Sequence, residues 1–416
     1  MPKPILSICI PTRERRRYLE ATLASLLSPN AFPFAIEIIV SDNAGEDDTG
    51  DLVRGLIAGG APLRYFRQPH DRGVVNNMYS AFRRARGEFT VYLADDDRLL
   101  PENVGRTVSW LQANPQAVAV YAPWETYDAV DDKAHTVSFV LDQGAEFGPD
   151  DRLDVLDLLL RHDIMPEVPL LRSAAVGSMM FGSAHVYWCF LAIDRLLDSG
   201  TIRFSNLPYY RSVTRHWEGE TRSTVTKRNS VAQWDTVRRG FEYLFWRARV
   251  GRTLSPDQEA DFARRIAAQD RHYLGYAFHS RIEAGDFKTA ADIALLMAAV
   301  GIPALGDEQR LVAMCAAADQ ILEVLDLLDE LEGVAVYGFP NPESIAGLLR
   351  VRRPDVRVAS IDDPADARFK SAFLVVAGNG LQRDRLLEVG YQPGFVIDFA
   401  RLFGFITAPA AVIDKR

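Results

Sequence analysis

Residues 68–104 read QPHDRGVVNNMYSAFRRARGEFTVYLADDDRLLPENV. Within this stretch, residues 89–93 (FTVYL) form a short apolar run that leads straight into Asp95-Asp96-Asp97. Before it, Val75, Met78 and Phe82 recur at helical spacing, and the pattern stops at Gly87. After it, Pro101 and Glu102 open a second helix that ends at Asn114-Pro115. A strand between two helices is the unit of a crossover-connected parallel sheet.

The same alternation extends in both directions. Residues 5–10, 36–40, 63–66 and 117–122 are further strand runs, and Leu19, Leu23, Leu26 and Leu27 mark a helix between the first two. The expectation is an α/β fold with a mostly parallel sheet covered by helices on both faces. Ligands of such sheets bind beyond the carboxyl ends of the strands. Three polar clusters stand there: Pro11-Thr12-Arg13-Glu14, Ser41-Asp42-Asn43 and Asp95-Asp96-Asp97. Three adjacent carboxylates repel one another, so they call for a cation. Their hard oxygens suit Mg²⁺ or Mn²⁺, which take one or two protein carboxylates and complete their shell with water and phosphate.

Size and composition narrow the class. The chain has 416 residues, 48 % of them hydrophobic and 25 % charged, which predicts a soluble protein of two or three domains. Its net charge of -9 argues against a nucleic-acid partner. The arginines at 13, 15, 16 and 17 leave room for a local basic patch. Cys9, Cys189 and Cys315 are far apart and form no CxxC, so buried free thiols in a reducing cytoplasm are expected. The first apolar run is too short for a signal peptide, and no stretch approaches the roughly 18 apolar residues of a membrane span. The expected location is the cytoplasm, with peripheral membrane contact open.

Further along, residues 150–160 and 187–197 read as helices, and residues 226–330 as almost wholly helical. Within these, residues 273–297 form one helix–turn–helix around Gly285-Asp286. From residue 331 the pattern returns to α/β. Strand runs at 334–337, 356–361 and 373–377, with helices at 343–350 and 381–389, predict a small Rossmann-like unit. Its first turn, Gly338-Phe339-Pro340-Asn341-Pro342, lacks a dinucleotide glycine fingerprint, so a structural or partner-docking role is expected. The domains are therefore read as 1–225, 226–330 and 331–416.

Residues 5–125 resemble the family 2 glycosyltransferases, whose fold is called GT-A. The matching blocks are LSICIPT (6–12), IEIIVSDN (36–43) and the long segment quoted first, including Asn77, the step Arg86-Gly87-Glu88-Phe89 and Pro101-Glu102. The resemblance implies transfer of a sugar from a nucleotide-diphosphate donor, UDP-sugar favoured, to a hydroxyl of a surface glycan, lipid-linked glycan or protein. It implies an inverting, metal-dependent reaction in polysaccharide biosynthesis. Pro11, Thr12, Arg13, Glu14 and Asp42 would contact the nucleotide, with Arg72 and Asn77 near the donor. Asp95 and Asp96 would touch the donor, and Asp96, Asp97 and His216 would hold Mn²⁺ or Mg²⁺. Many relatives carry the first acid one position earlier, where this chain has Ala94, which shifts the assignment among the aspartates by one residue.

Inverting relatives place an acidic base at the start of a late helix. The matching region, residues 182–188, holds no carboxylate, so His185 is the expected base, its ordinary pKa of about 6.5 suiting proton transfer. Asp194 reads as an exposed surface charge, and Glu218 and Glu220 are alternatives. In residues 208–217, Arg211 or Arg215 would clamp phosphate, and Trp217 would shield the site or stack on a sugar. Two other classes stay open. A nucleotidyltransferase needs a glycine-rich loop after the first strand, where this chain has Pro11-Thr12-Arg13-Glu14-Arg15. A non-catalytic nucleotide-sugar-binding scaffold would keep the fold and lose the base.

Overall fold

The computed structural model describes residues 3–179, 186–218, 225–299, 307–328 and 330–407. These fall into two compact units, one of residues 1–223 and 235–269, the other of 224–234 and 270–416. No helix among the described residues is long and apolar enough to cross a membrane. All three cysteines are free and buried.

The first unit starts with β1 (Leu6–Thr12), α1 (Arg16–Leu26), β2 (Ile36–Asp42), α2 (Thr49–Ala58), β3 (Leu63–Arg67), α3 (Val74–Phe82) and β4 (Phe89–Tyr92). Then come β5 (Arg98–Leu99), α4 (Pro101–Ala113), β6 (Ala117–Tyr121), β7 (Trp124–Asp128), β8 (Lys133–Val137) and β9 (Ala145–Phe147). The rest is α5 (Arg152–His162), β10 (Pro169–Arg172), α6 (Trp188–Ser199), β11 (Thr201–Phe204), β12 (Tyr210–Arg215), residues 235–249 of α7 (Val225–Arg249) and the first half of α8 (Pro256–Glu283).

An eight-stranded sheet runs β3-β2-β1-β4-β10-β6-β11-β9. Its first four strands are parallel, and β10 is antiparallel to both β4 and β6. The mostly parallel sheet expected from the strand runs is thus present. Every residue of β1 is buried, as strands covered on both faces require. On one face Leu6, Ile8 and Ile10, with Ile38, Val40 and Val91, pack on Leu19 and Leu23 of α1 and Val104 and Val108 of α4. A second sheet, β5-β12-β7-β8, is built from short polar strands that the sequence pattern does not reveal.

Two glycines are fixed by close approach. A Cβ on Gly87 would lie 2.8 Å from the Ser7 backbone nitrogen, so the Arg86-Gly87 step lets the chain enter β4 hard against β1. There the Gly87 and Arg86 amides donate to Ser7 Oγ and Glu37, 2.9 and 2.6 Å. A Cβ on Gly240 of α7 would fall 2.1 Å from the Phe190 ring of α6. Gly240→Ala is expected to cost about 1–3 kcal/mol through overpacking, more than the roughly 0.5–1 kcal/mol that alanine gains in a helix. Urea unfolding measures the difference, and equal or higher stability would contradict the packing.

The second unit holds the rest of α8, then α9 (Phe287–Ala299) and α10 (Asp307–Asp326). The turn expected at Gly285-Asp286 is there. Gly285 has a φ of +71°, and Asp286 Oδ1 accepts the Thr289 amide at 3.2 Å to start α9. β13 (Gly333–Tyr337), α11 (Pro342–Arg352), β14 (Arg357–Ile361), β15 (Phe373–Ala377), α12 (Gly380–Glu388), β16 (Val396–Asp398) and α13 (Phe399–Thr407) follow. The sheet order is β14-β13-β15-β16, all parallel, the arrangement of half a Rossmann fold. At its strand ends Gly338 is pressed by Gln382 of α12, whose Cγ lies 2.2 Å from where a Cβ would stand. Gln382 thus fills the approach that a pyrophosphate takes in dinucleotide-binding sheets.

Candidate functional site

The three polar clusters do meet at one edge. Thr12 and Asp42 are register partners at the carboxyl ends of β1 and β2. Thr12 Oγ1 donates to Asp95 Oδ2 at 2.6 Å, tying β1 to the acidic run. Beneath them, Thr22 of α1 donates to the carbonyls of Asp95 and Asp97, 3.0 and 3.1 Å, and fixes the turn.

Each aspartate is buried but differently used. Arg15 spans two of them. Its Nε lies 2.9 Å from Asp95 Oδ1, and its Nη2 pairs with Asp96 Oδ2. Asp97 turns the other way, accepting the Tyr210 hydroxyl at 2.7 Å and the Val213 amide at 2.8 Å. It stitches the run to β12. Burial pushes the Asp95 carboxyl up, to about 7, while Arg15 pulls it back and Asp96 pushes it further.

Asp42 is buried, accepting the Gly45 amide at 2.8 Å and the Tyr65 hydroxyl at 2.5 Å. Arg13 pairs with Asp71, and Glu14, half-exposed, lies 3.8 Å from Arg13. Asn43 bridges to Asp71 and to the Arg72 amide, 2.5 and 2.8 Å. The Arg72 side chain is exposed. Pro11 is buried within β1. Asn77 sits beneath this edge, where its amide donates to the Ser41 carbonyl at 2.7 Å and accepts the Ser41 hydroxyl at 2.8 Å. It locks the end of β2.

Past β12, His216 meets the Tyr18 ring in a T-shaped contact at 5.0 Å, and Trp217 lies tilted at 38° and 4.8 Å from the same ring. Arg17 lies 3.8 Å above Trp217, and Arg15 lies 4.5 Å above Tyr18. His216 is thereby joined to the acidic run through Tyr18 and Arg15. Among the described residues, no group of three or more His, Cys, Asp or Glu is placed to hold a metal. Two adjacent carboxylates, Asp95 and Asp96, still match the one or two that Mg²⁺ or Mn²⁺ takes from protein.

Three expectations change. Asp194 is not an exposed charge but 0 % exposed, bound by Arg152, Tyr243 and Arg247. Arg211 and Arg215 are not open to phosphate in this arrangement. Arg211 pairs with Glu125 of β7 at 2.7 Å, and Arg215 pairs with Asp128 and Asp131 at 2.9 and 2.6 Å. The pairs with Glu125 and Asp128 are cross-strand pairs of the second sheet, and Asp131 stands in the turn after β7. His185 and Glu220 lie outside the described residues, and Glu218 is exposed. Sequence reasoning missed the contacts of Arg15 and Tyr65 at this edge. Arg15 sits in the arginine run, whose pattern does not say which member turns inward.

Sheet order, the antiparallel β10 and the acidic run at the carboxyl edge define a GT-A domain. Residues 7–176 match Glycosyl transferase family 2. This region of the chain belongs to that family.

Among curated proteins, the chain is similar to the GalNAc(5)-diNAcBac-PP-undecaprenol beta-1,3-glucosyltransferase of Campylobacter jejuni, 37 % identical over 101 residues, 24 % of this chain and 31 % of that one. It is also similar to abequosyltransferase RfbV of Salmonella typhimurium, 29 % identical over 110 residues, 26 % of this chain and 33 % of that one. The chain spans about a third of the length of these relatives. A solved structure of S. aureus TarS 1-349 with UDP-GlcNAc aligns with a TM-score of 0.48 and 14 % identity, over 77 % of this chain and 87 % of that one. The mannosyltransferase PcManGT of Pyrobaculum calidifontis, solved with GDP-Man and Mn²⁺, aligns at 0.43 and 16 %, over 72 % and 81 %.

Proposed function

We propose that the chain transfers a sugar from a nucleoside-diphosphate-sugar, UDP-sugar first, to a hydroxyl acceptor, with a divalent metal and inversion at the anomeric carbon. The observation that carries this reading is the convergence of Thr12, Asp42 and the buried Asp95-Asp96 pair at one sheet edge. Asp42, with Thr12, Arg13 and Glu14 around it, receives the nucleoside. Asp95 and Asp96 hold the metal, which supplies positive charge to the departing diphosphate. Asp97, whose two oxygens are engaged by Tyr210 and Val213, positions the run. Arg15, pulled from its carboxylates, is placed to meet phosphate, and Arg72 adds a second cation at the rim. His216 and Trp217 close the site over Tyr18.

The relatives support a reading of the acceptor class. The C. jejuni relative is named for a polyprenol-linked glycan. A glycan carried on lipid is the acceptor we place first, with a protein or free surface glycan next. We assign transfer to residues 1–225, and acceptor or partner recognition to 226–330 and 331–416.

The test is release of nucleoside diphosphate from UDP-GlcNAc, UDP-glucose, UDP-galactose and GDP-mannose with Mn²⁺. Turnover of a UDP-sugar is expected, and EDTA should abolish it. Binding of UDP without turnover of any donor would instead make the chain a nucleotide-sugar-binding scaffold.

A further inference from the structure

β10 brings a fourth carboxyl group to the acidic edge. It pairs antiparallel with β4, Leu170 opposite Val91 and Arg172 opposite Phe89. The segment entering β10 therefore runs beside the carboxyl end of β4, next to the start of the acidic run. Glu167 lies in that segment, partly buried. The Tyr187 hydroxyl donates to its Oε1 at 2.5 Å, and Tyr187 is the residue that caps the start of α6. Tyr92 of β4 and Cys189 of α6 are the other titratable groups that feel its charge.

The carboxylates of this edge divide by what they hold. Asp95 and Asp96 face the Arg15 cation, Asp97 takes a tyrosine and an amide, and Asp42 takes an amide and a tyrosine with Arg67 at 4.0 Å. Glu167 has no cation among the described residues, and its second oxygen, Oε2, has no bonding partner there. Burial pushes its carboxyl up, with the Tyr187 hydrogen bond holding it back. Such a group is a poor ligand for a diphosphate and a good receiver of a proton.

We infer that Glu167 is the general base of the transfer, with Tyr187 as its positioning residue. This rests on the glycosyltransferase reading above. The Glu167 carboxylate takes the proton of the acceptor hydroxyl as that oxygen bonds to the anomeric carbon. The bond from that carbon to the β-phosphate oxygen breaks, and the nucleoside diphosphate leaves with the electron pair. Glu167 then returns its proton to water. With water in place of the acceptor the same step is donor hydrolysis, so the inference can be tested before the acceptor is known.

The experiment uses the full chain, Mn²⁺ and the four donors above, reading kcat and KM from nucleoside diphosphate release and donor affinity from calorimetry. Glu167→Gln is expected to lower kcat by about 10²–10⁴-fold, the usual contribution of a positioned base, and to leave donor affinity unchanged. Glu167→Asp should recover part of the rate. Tyr187→Phe should lower kcat less and move the acid limb of the pH profile to higher pH, because it removes the bond that holds the Glu167 carboxyl down. Unchanged kcat in folded Glu167→Gln, or equal losses of kcat and donor affinity, would overturn the assignment. So would a collapse of kcat in His185→Ala with full activity in Glu167→Gln. If Glu167→Gln melts early, the Glu167→Asp rate and affinity decide the same question. Failure of the wild type to turn over any donor would sink the glycosyltransferase reading itself, a result separable from failure of the variant alone.

Discussion

Asp96→Ala removes the Mn²⁺-dependent part of nucleotide binding. Asp96 is buried at the sheet edge, where its carboxylate pairs with Arg15. Its oxygens are the hard donors that Mn²⁺ selects, and it stands beside Asp95, which is already tied to Thr12. Loss of a direct ligand exceeds the roughly 10–100-fold penalty typical of an outer partner. Calorimetry of UDP with and without Mn²⁺ reads the effect, and equal affinities for wild type and variant would remove the metal from this site. Asp97→Asn is the contrast. Asp97 accepts from Tyr210 and from the Val213 amide, so its substitution is expected to weaken the fold by about 1–3 kcal/mol, as a disturbed buried hydrogen bond does, with a smaller effect on Mn²⁺.

The second large effect lies away from the site. Asp194 of α6 is 0 % exposed and receives Arg152 at 2.7 Å, Tyr243 at 2.6 Å and Arg247 at 2.9 Å. Arg152 and Arg247 are themselves only 13 % and 23 % exposed. Asp194→Ala leaves both guanidinium groups with little water and only the half-exposed Asp198 as counter-ion, a change worth about 3 kcal/mol, the low end for a broken buried pair. Thermal and urea melts should both register it, and a variant as stable as wild type would show that the cluster is solvated. Burial alone would raise the Asp194 carboxyl, but its three partners outweigh that and hold it below the usual range. A depressed carboxyl contributes stability that is present above its unfolded pKa of about 3.9 and is lost as pH falls through the lower folded value. The stability of Asp194→Asn should therefore be flatter than wild type below about pH 4.

Legibility followed burial. β1, β2 and β4 were readable because both faces are covered, which leaves unbroken apolar runs such as residues 36–40. β8 was not, since all five of its residues, Lys133–Val137, are exposed. β10 and β12 were missed as strands because four to six mixed residues carry no period. The site divides in the same way. Thr12, Asp42 and the acidic run follow strand ends, and strand ends are visible in sequence. Arg211 and Arg215 looked like phosphate ligands because their partners, Glu125 and Asp128 of β7 and Asp131 of the turn after it, lie more than eighty residues earlier. Asp194 looked exposed for the same reason, Arg247 standing 53 residues away. Glu167 has no local signature at all. Antiparallel pairing alone brings it to the edge.

The bridge from Arg15 to Asp95 and Asp96 means that the chain carries its own counter-ion. Clustered acids at a sheet edge need not wait for a metal to become compatible with folding. A divalent ion that arrives there exchanges with a tethered cation rather than meeting bare charge. Its apparent affinity is then set by the difference between two cations on the same oxygens, and the arginine it releases is delivered beside the ion that displaced it. Ion and phosphate would in that case bind better together than either does alone.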